Sequence, residues 1–247
     1  MKPFLAFLFA LLFCSQINAQ QTNLQDSLII QKISEQIFVH GEVYDNLRVL
    51  CKKIGSRLSG SEGAEKAVQW SKQLMEKYGF DTVYLQKVMV PHWLRGNKEK
   101  ACFYSESDKK KNAVDIVALG GSVSTPKNGL TAEVIEVKDF DELNKLGTEK
   151  IKGKIVFYNH PFDVRKIMPF SMYGEAVKYR SAGASQAARY GAVGSIVRSM
   201  TNYIDDYPHT GAMNYNDSFP KIPSCAISTQ DAETLSAALK KGKQNFY

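Results

Sequence analysis

The spacing of apolar positions changes several times along the chain, and each change marks an element. After an unbroken apolar run over 4–13, Ile29, Ile30, Ile33 and Ile37 share one face of a helix over 26–38. Gly41 interrupts, and Val43, Leu47, Leu50, Cys51 and Ile54 resume the helical stripe until Gly55 stops it. Ser59 and Glu62 have the spacing of a capping box, with Ser61 as a competing cap. They open a helix that carries Ala64, Ala67, Val68, Ser71, Leu74, Met75 and Tyr78 on one side and ends at Gly79. Residues 82–90 are rich in β-branched types and read as a strand closed by Pro91.

In the second half the runs shorten. Strands are expected over 101–104, 114–119, 130–137, 154–158 and 224–227, and a short helix over 139–146. A final helix, capped by Ser228 or Thr229, runs through Leu239 and ends at Gly242. Residues 120–126, 161–171 and 203–223 read as loops or irregular chain. The stretch 183–199 organises this half. Ala184, Ala187 and Ala188 recur at helical spacing, which lets a helix come close to its neighbour, and 174–182 leads into it as helix. Gly191 stands where the helix would end, because glycine tolerates the left-handed conformation needed there. Val193, Ile196 and Val197 then form a short buried strand. The unit reads as core of an α/β fold.

A length of 247 residues fits one large domain or two small ones, and 44% hydrophobic with 23% charged residues is ordinary for a globular protein. The net charge of +7 is spread thinly. Its single run, Lys109-Lys110-Lys111, lies beside Ser105, Glu106, Ser107 and Asp108 with no aromatic residues interleaved. That is a solvated loop and not a nucleic-acid surface. Lys2, the apolar run and Ile17-Asn18-Ala19 before Gln20 read as a cleaved secretory signal over 1–19, too short to span a bilayer. The mature chain is therefore expected to be secreted or periplasmic, with no membrane span. Cys14 follows Phe13, which is too bulky for a lipoprotein cleavage site. Cys51, Cys102 and Cys225 are left, either as one disulfide and a free thiol or as three buried thiols, and their spacing gives no zinc site.

Chemistry is sparse. The four histidines, His40, His92, His160 and His209, form no His-Glu-x-x-His pattern. Gly183-Ala184-Ser185-Gln186-Ala187 approaches a nucleophile elbow, with Asp205 and His209 downstream, but an elbow needs a strand where this chain predicts a helix. Gly191 to Gly194 follow a helix and do not open one, so no phosphate loop is present. No catalytic residue and no metal ligand is assigned. Arg198, His209 and Tyr215 flank or lie in a long loop between buried strands, a place where substrate-cleft or partner contacts concentrate; a loop that packs only on its own domain stays equally open. The helices before Gly79 and the strand after it make one face of an α/β layer without an evident sheet, so residues 20–96 are expected to be completed by chain beyond this sequence.

Several runs in order carry a resemblance. They are Tyr44-Asp45-Asn46-Leu47-Arg48 leading to Ile54-Gly55-Ser56-Arg57-Leu58-Ser59-Gly60-Ser61, then Val90-Pro91-His92-Trp93-Leu94-Arg95-Gly96, Gly153-Lys154-Ile155-Val156-Phe157-Tyr158-Asn159, 191–199, Pro208-His209-Thr210-Gly211, and Ile222-Pro223-Ser224-Cys225-Ala226-Ile227 with Asp231-Ala232. With them the chain resembles the N-terminal part of the secreted zinc exopeptidases of the carboxypeptidase Q type, within the zinc aminopeptidases that carry a protease-associated domain. The resemblance implies an incomplete N-terminal portion of an α/β zinc-peptidase domain over 20–96 and a protease-associated α/β domain over 97–247. It also implies peptide hydrolysis of the aminopeptidase or dipeptidase type by two zinc ions and a glutamate base in the intact enzyme. The family's ligands begin with a His-x-Asp motif, which this sequence contains nowhere. No catalytic residue is therefore carried over, no zinc is expected on this chain, and the chain alone is expected to be inactive. The implied partners are a peptide substrate and a C-terminal peptidase segment, with a homodimer left open and nucleic acid excluded. The competing reading is a stand-alone exported module that binds peptides or proteins.

Overall fold

In the computed structural model, which describes residues 24–247, the chain divides between His92 and Trp93 into two units. The sequence reading put this division after residue 96. The signal segment read over 1–19 lies outside the described residues.

The first unit is helical as far as it is regular: α1 (Leu24–His40), α2 (Val43–Arg48) continuing into a π-helical turn (Val49–Ile54), and α3 (Glu62–Lys77). Ser61 caps α3 by accepting from the Ala64 N–H at 3.2 Å, so the Ser59–Glu62 capping box is not formed. Ser61 has the extended backbone a cap requires, and Glu62 is already inside the helix. The α2 and α3 ends are tied by Tyr78, whose hydroxyl donates to Glu42 at 3.0 Å and accepts from Asn46 at 2.9 Å. The strand expected over 82–90 is not there. A strand is held by a ladder of cross-strand hydrogen bonds, and no described strand pairs with this segment. None of residues 24–92 is buried, and Ile33, Ile37 and Phe38 of α1 are 54%, 58% and 86% exposed.

The second unit is α/β, as the sequence predicts. Its strands are β1 (Ala101–Tyr104), β2 (Asn112–Val114), β3 (Ile116–Ala118), β4 (Ala132–Val137), β5 (Ile155–Tyr158), β6 (Gly194–Arg198), β7 (Ser224–Ile227) and β8 (Asn245–Phe246). Its helices are α4 (Phe140–Ile151), α5 (Pro169–Ala188) and α6 (Thr229–Lys241). The strands form one sheet in the order β2-β1-β8-β4-β5-β6-β7-β3. The four central strands β4 to β7 are parallel, and the strands outside them pair antiparallel.

The two edge strands of this order, β2 and β3, are separated in the chain by Asp115 alone. One bent stretch of chain therefore begins at one edge of the sheet, paired with β1, and continues at the other, paired with β7. The single strand expected over 114–119 is broken here for a definite reason. The Asp115 N–H donates to Asp231 Oδ2 at 2.7 Å, and its carbonyl accepts from the Ser228 N–H at 3.2 Å. Both backbone groups of Asp115 are spent on the start of α6, so neither is available to a ladder.

Two apolar layers line the two faces. On one, Tyr158, Val197, Leu143, Tyr179, Ala184 and Ala187 pack together between the sheet and α4 and α5. On the other, Phe157, Ile196, Leu235, Ala232 and Phe246 pack under α6. The small face of α5 works as its sequence implies. The Tyr158 hydroxyl donates to the Gly183 carbonyl at 2.8 Å, and a Cβ on Gly183 would stand 2.8 Å from the Tyr158 ring. Gly191 takes φ +80°, turning the chain from α5 into β6.

Two helix boundaries and one short strand stand out against the sequence reading. Helix α4 runs on from 146 to Ile151 across a kink at Gly147, where φ is 58°. Helix α5 begins at Pro169, inside the stretch read as irregular, because proline is favoured in a first turn, where its missing N–H costs nothing. Strand β8, two residues long, gave no periodic signal.

Candidate functional site

In sheets of parallel strands, ligands gather outside the carboxyl ends. Here that end carries a polar network. Arg198, the last residue of β6, is 5% exposed. Its Nη1 lies 2.7 Å from Glu233 Oε1 on α6 and donates to Asn159 Oδ1 at 3.1 Å. Asn159 in turn donates to Glu136 Oε1 at 2.6 Å, and the Ser236 hydroxyl lies 2.9 Å from both Glu136 oxygens. The network joins β4, β5, β6 and α6, and its members satisfy one another.

The three residues singled out from sequence separate. The His209 backbone N–H donates to Ser199 Oγ at 2.7 Å, which sets it beside the end of β6 next to Arg198, with its side chain exposed. Tyr215 lies at the other end. Its hydroxyl accepts from the Val123 N–H at 3.0 Å and donates to the Ile222 carbonyl at 2.6 Å, just before β7 begins. Tyr215 thus clips the long loop to the amino end of the parallel strands. Ser185 is buried in α5 and accepts from the Asn216 N–H at 2.8 Å, so it presents no nucleophile.

A cleft of about 740 Å³ opens at that amino end, lined by Trp93, Arg95, Glu99, Ile155, Ile196 and Cys225 among others. The Trp93 indole donates to the Ser122 carbonyl at 3.2 Å. Glu99 Oε1 accepts from the Ala118 N–H at 2.8 Å and from Arg95 at 3.2 Å. Burial pushes the Cys225 thiol up to about 12, with the Glu99 charge adding to it. The thiol is therefore protonated at neutral pH, which makes it a poor nucleophile. The cleft has the size and apolar lining to enclose a side chain or small ligand. No disulfide joins Cys51, Cys102 and Cys225, of which Cys51 alone is exposed.

A third feature was invisible in the sequence. Arg180, on the outer part of α5, donates to the Tyr173 hydroxyl at 2.6 Å while its Nε is buried without a partner. Nothing in the sequence sets this arginine apart from its neighbours, because what distinguishes it is the loop that folds over it.

Zinc hydrolysis requires at least three converging His, Cys, Asp or Glu ligands. Among the described residues no such group of three exists. His92 Nδ1 lies 2.6 Å from the Gly60 carbonyl and His160 Nδ1 3.3 Å from that of Lys138. The donor set for zinc is not gathered by these residues.

No family model matches the chain. Its backbone and sequence are nonetheless similar to those of M28 peptidases. A solved peptidase M28 precursor from Shewanella amazonensis superposes with a TM-score of 0.80 at 32% identity, over 88% of this chain and 48% of that one. Among curated proteins the chain is homologous to carboxypeptidase Q, with 42% identity to the Xenopus laevis protein over 208 residues, which is 83% of this chain and 42% of that one. BSAP, a zinc aminopeptidase from Bacillus subtilis, shares the fold with a TM-score of 0.53 at 22% identity, over 82% of this chain and 41% of its own. The chain spans less than half the length of these relatives. No helix among the described residues is long and apolar enough to cross a membrane.

Proposed function

We propose that this chain supplies the N-terminal portion of the peptidase domain, over 20–96, and the protease-associated domain, over 97–247, of a secreted zinc metallopeptidase that hydrolyses peptides in the manner of an aminopeptidase or dipeptidase. The observation that carries the reading is the 42% identity to carboxypeptidase Q over 208 residues, which runs through both units. The first unit supports it from the physical side. A helix with Ile33, Ile37 and Phe38 more than half exposed has an apolar face made to be covered. In this reading zinc and the general base belong to residues other than those described, and the chain on its own does not hydrolyse peptides. The described residues would supply support and substrate access.

The test is direct. The purified chain is incubated with zinc and assayed on dipeptides and aminoacyl anilides, and the DNA is read past the codon for Tyr247. No turnover, with a frame that continues into a His-x-Asp motif, is the expected outcome. Metal-dependent turnover by this chain alone would overturn the assignment of the metal to other residues. A stop codon with stable product would favour the stand-alone binding module.

A further inference from the structure

The apolar layer under α6 is covered over only part of its extent. On the other face two helices, α4 and α5, pack against the sheet; on this face α6 stands alone. It packs Ala232 and Leu235 with Phe157 and Ile196, but among the described residues it contributes none to the wall of the cleft at the amino end of the parallel strands. That cleft, of about 740 Å³, is where the layer runs on without a helix. Ile155, Ile196 and Phe246 belong to the layer and also line the cleft, and Ile116, Leu130 and Cys225 beside them are left half-buried. All of the lining residues fall within 93–247, so the cleft is a feature of the second unit by itself.

The charge lining the cleft is one-sided. Glu99 is the one carboxylate among the described lining residues, and it is fully engaged by the Ala118 N–H at 2.8 Å and by Arg95 at 3.2 Å. Arg95 lies over the Trp93 ring, 4.9 Å from its centre, and donates to the Ala118 carbonyl at 2.8 Å. The Trp93-Leu94-Arg95-Gly96 run noted in the sequence thus builds one wall. Lys100 and Lys127, both exposed, also line the cleft, and neither forms an ion pair with a described residue. A concave apolar surface with two unpaired cations at its edge favours a ligand with an apolar body and an anionic head. Burial of the body supplies affinity, and the lysines, whose long stems keep the ammonium in water, select the sign of the head.

We propose that this cleft binds a free medium-chain fatty carboxylate, with the acyl chain against Ile155, Ile196 and Phe246 and the carboxylate at Lys100 and Lys127. The other donors of the wall, the Trp93 indole and the Arg95 guanidinium, already serve the Ser122 and Ala118 carbonyls, so the lining suits a ligand whose polar atoms lie at one end. The site does not rest on the peptidase reading, and the failure of either leaves the other standing.

Calorimetric titration of the full chain tests this with hexanoate, octanoate and decanoate, each below its micelle concentration, and with octan-1-ol and octylammonium as uncharged and cationic counterparts. The carboxylates bind saturably, and each two added carbons tighten binding by about tenfold as more chain is buried. Octan-1-ol binds about fivefold more weakly than octanoate, and octylammonium more weakly still. Lys100→Gln with Lys127→Gln lowers octanoate to the affinity of octan-1-ol and leaves octan-1-ol unchanged; both side chains are exposed, so the urea midpoint does not move. Ala118→Leu adds bulk to the wall and weakens octanoate and octan-1-ol alike by about tenfold. Absence of saturable binding, affinity independent of chain length, or wild-type affinity in Ala118→Leu overturns the site. Equal binding of octanoate and octylammonium, or an unchanged octanoate affinity in the double lysine variant, overturns the carboxylate assignment.

Discussion

Arg198 Nη1 stands 2.7 Å from Glu233 Oε1, and the two sides of the pair have different environments: the arginine side chain is 5% exposed, the glutamate 57%. This asymmetry fixes what each substitution does. Removing the glutamate leaves a buried cation whose remaining partner is Asn159 at 3.1 Å. Removing the arginine leaves a carboxylate that water already reaches. Glu233→Ala is therefore expected to cost about 1–3 kcal/mol and Arg198→Met, which keeps the apolar stem, about 1 kcal/mol or less. Urea denaturation of both variants checks the order. Equal costs would mean the pair behaves as a surface ion pair, and a loss of ligand binding with unchanged stability in Arg198→Met would return Arg198 to the contact role read from the sequence.

Gly183 is the second position where a small change has a definite sign. Its missing side chain leaves room for the Tyr158 ring, which is fully buried, is stacked on Tyr179 at 5.7 Å between centroids and donates to the Gly183 carbonyl. Gly183→Ala places a methyl 2.8 Å from an aromatic carbon that has no free space to move into. Overpacking of this kind costs about 1–3 kcal/mol. Thermal unfolding of the variant measures it, and an unchanged midpoint would show that α5 can shift away from β5 at no cost.

The α5–β6 unit was legible because its physics is local. Ala184, Ala187 and Ala188 declare a close-packed face, Gly191 a left-handed turn, and Ile196 with Val197 a buried strand, and each does in the structure what its type allows. What was not legible depends on partners distant in sequence. Asp115 breaks a β-branched run only because Asp231 and Ser228 compete for its backbone. Residues 82–90 have the composition of a strand, but composition does not supply a ladder. In the site, Arg198, His209 and Tyr215 share one loop in sequence while the strand ends separate Tyr215 from the other two. Arg180 was missed because the loop that covers it arrives from 31 residues away, at Gly211.

Cysteine reactivity should divide sharply. Cys51 is exposed, Cys102 is buried, and the Cys225 thiol is held up to about 12 by burial and then by the Glu99 charge. At pH 8 iodoacetamide is expected to modify Cys51 first and to leave Cys225 untouched until urea is added, as read by mass spectrometry of the intact chain. The same shift has a stability consequence. A thiol whose folded value lies above its unfolded one of about 9 favours the folded state fully below pH 9 and loses that contribution as pH rises toward 12. Unfolding midpoints should therefore fall across pH 9–12, and Cys225→Ser should flatten the fall. Prompt labelling of Cys225 in the folded chain at pH 8 would show that water reaches the thiol.

Backbone exchange tests the first unit. An amide leaves its proton slowly when it is hydrogen-bonded in structure that rarely opens. In the second unit the β5 and β6 amides lie in a parallel ladder between two apolar layers, with Val156, Phe157 and Ile196 at most 1% exposed. They are expected to be the slowest in the chain. Residues 82–90 belong to no ladder, and Tyr84, Val88 and Met89 are 77%, 66% and 89% exposed. Their amides are expected to exchange within seconds at neutral pH, together with those at the exposed ends of α1. Adding the peptidase segment that the proposed function requires should slow 82–90 selectively, because pairing gives those amides acceptors, while β5 and β6 keep their rates. Slow exchange over 82–90 in the isolated chain would mean that the segment already has a partner strand, and the case for a sheet completed by other residues would fall with it.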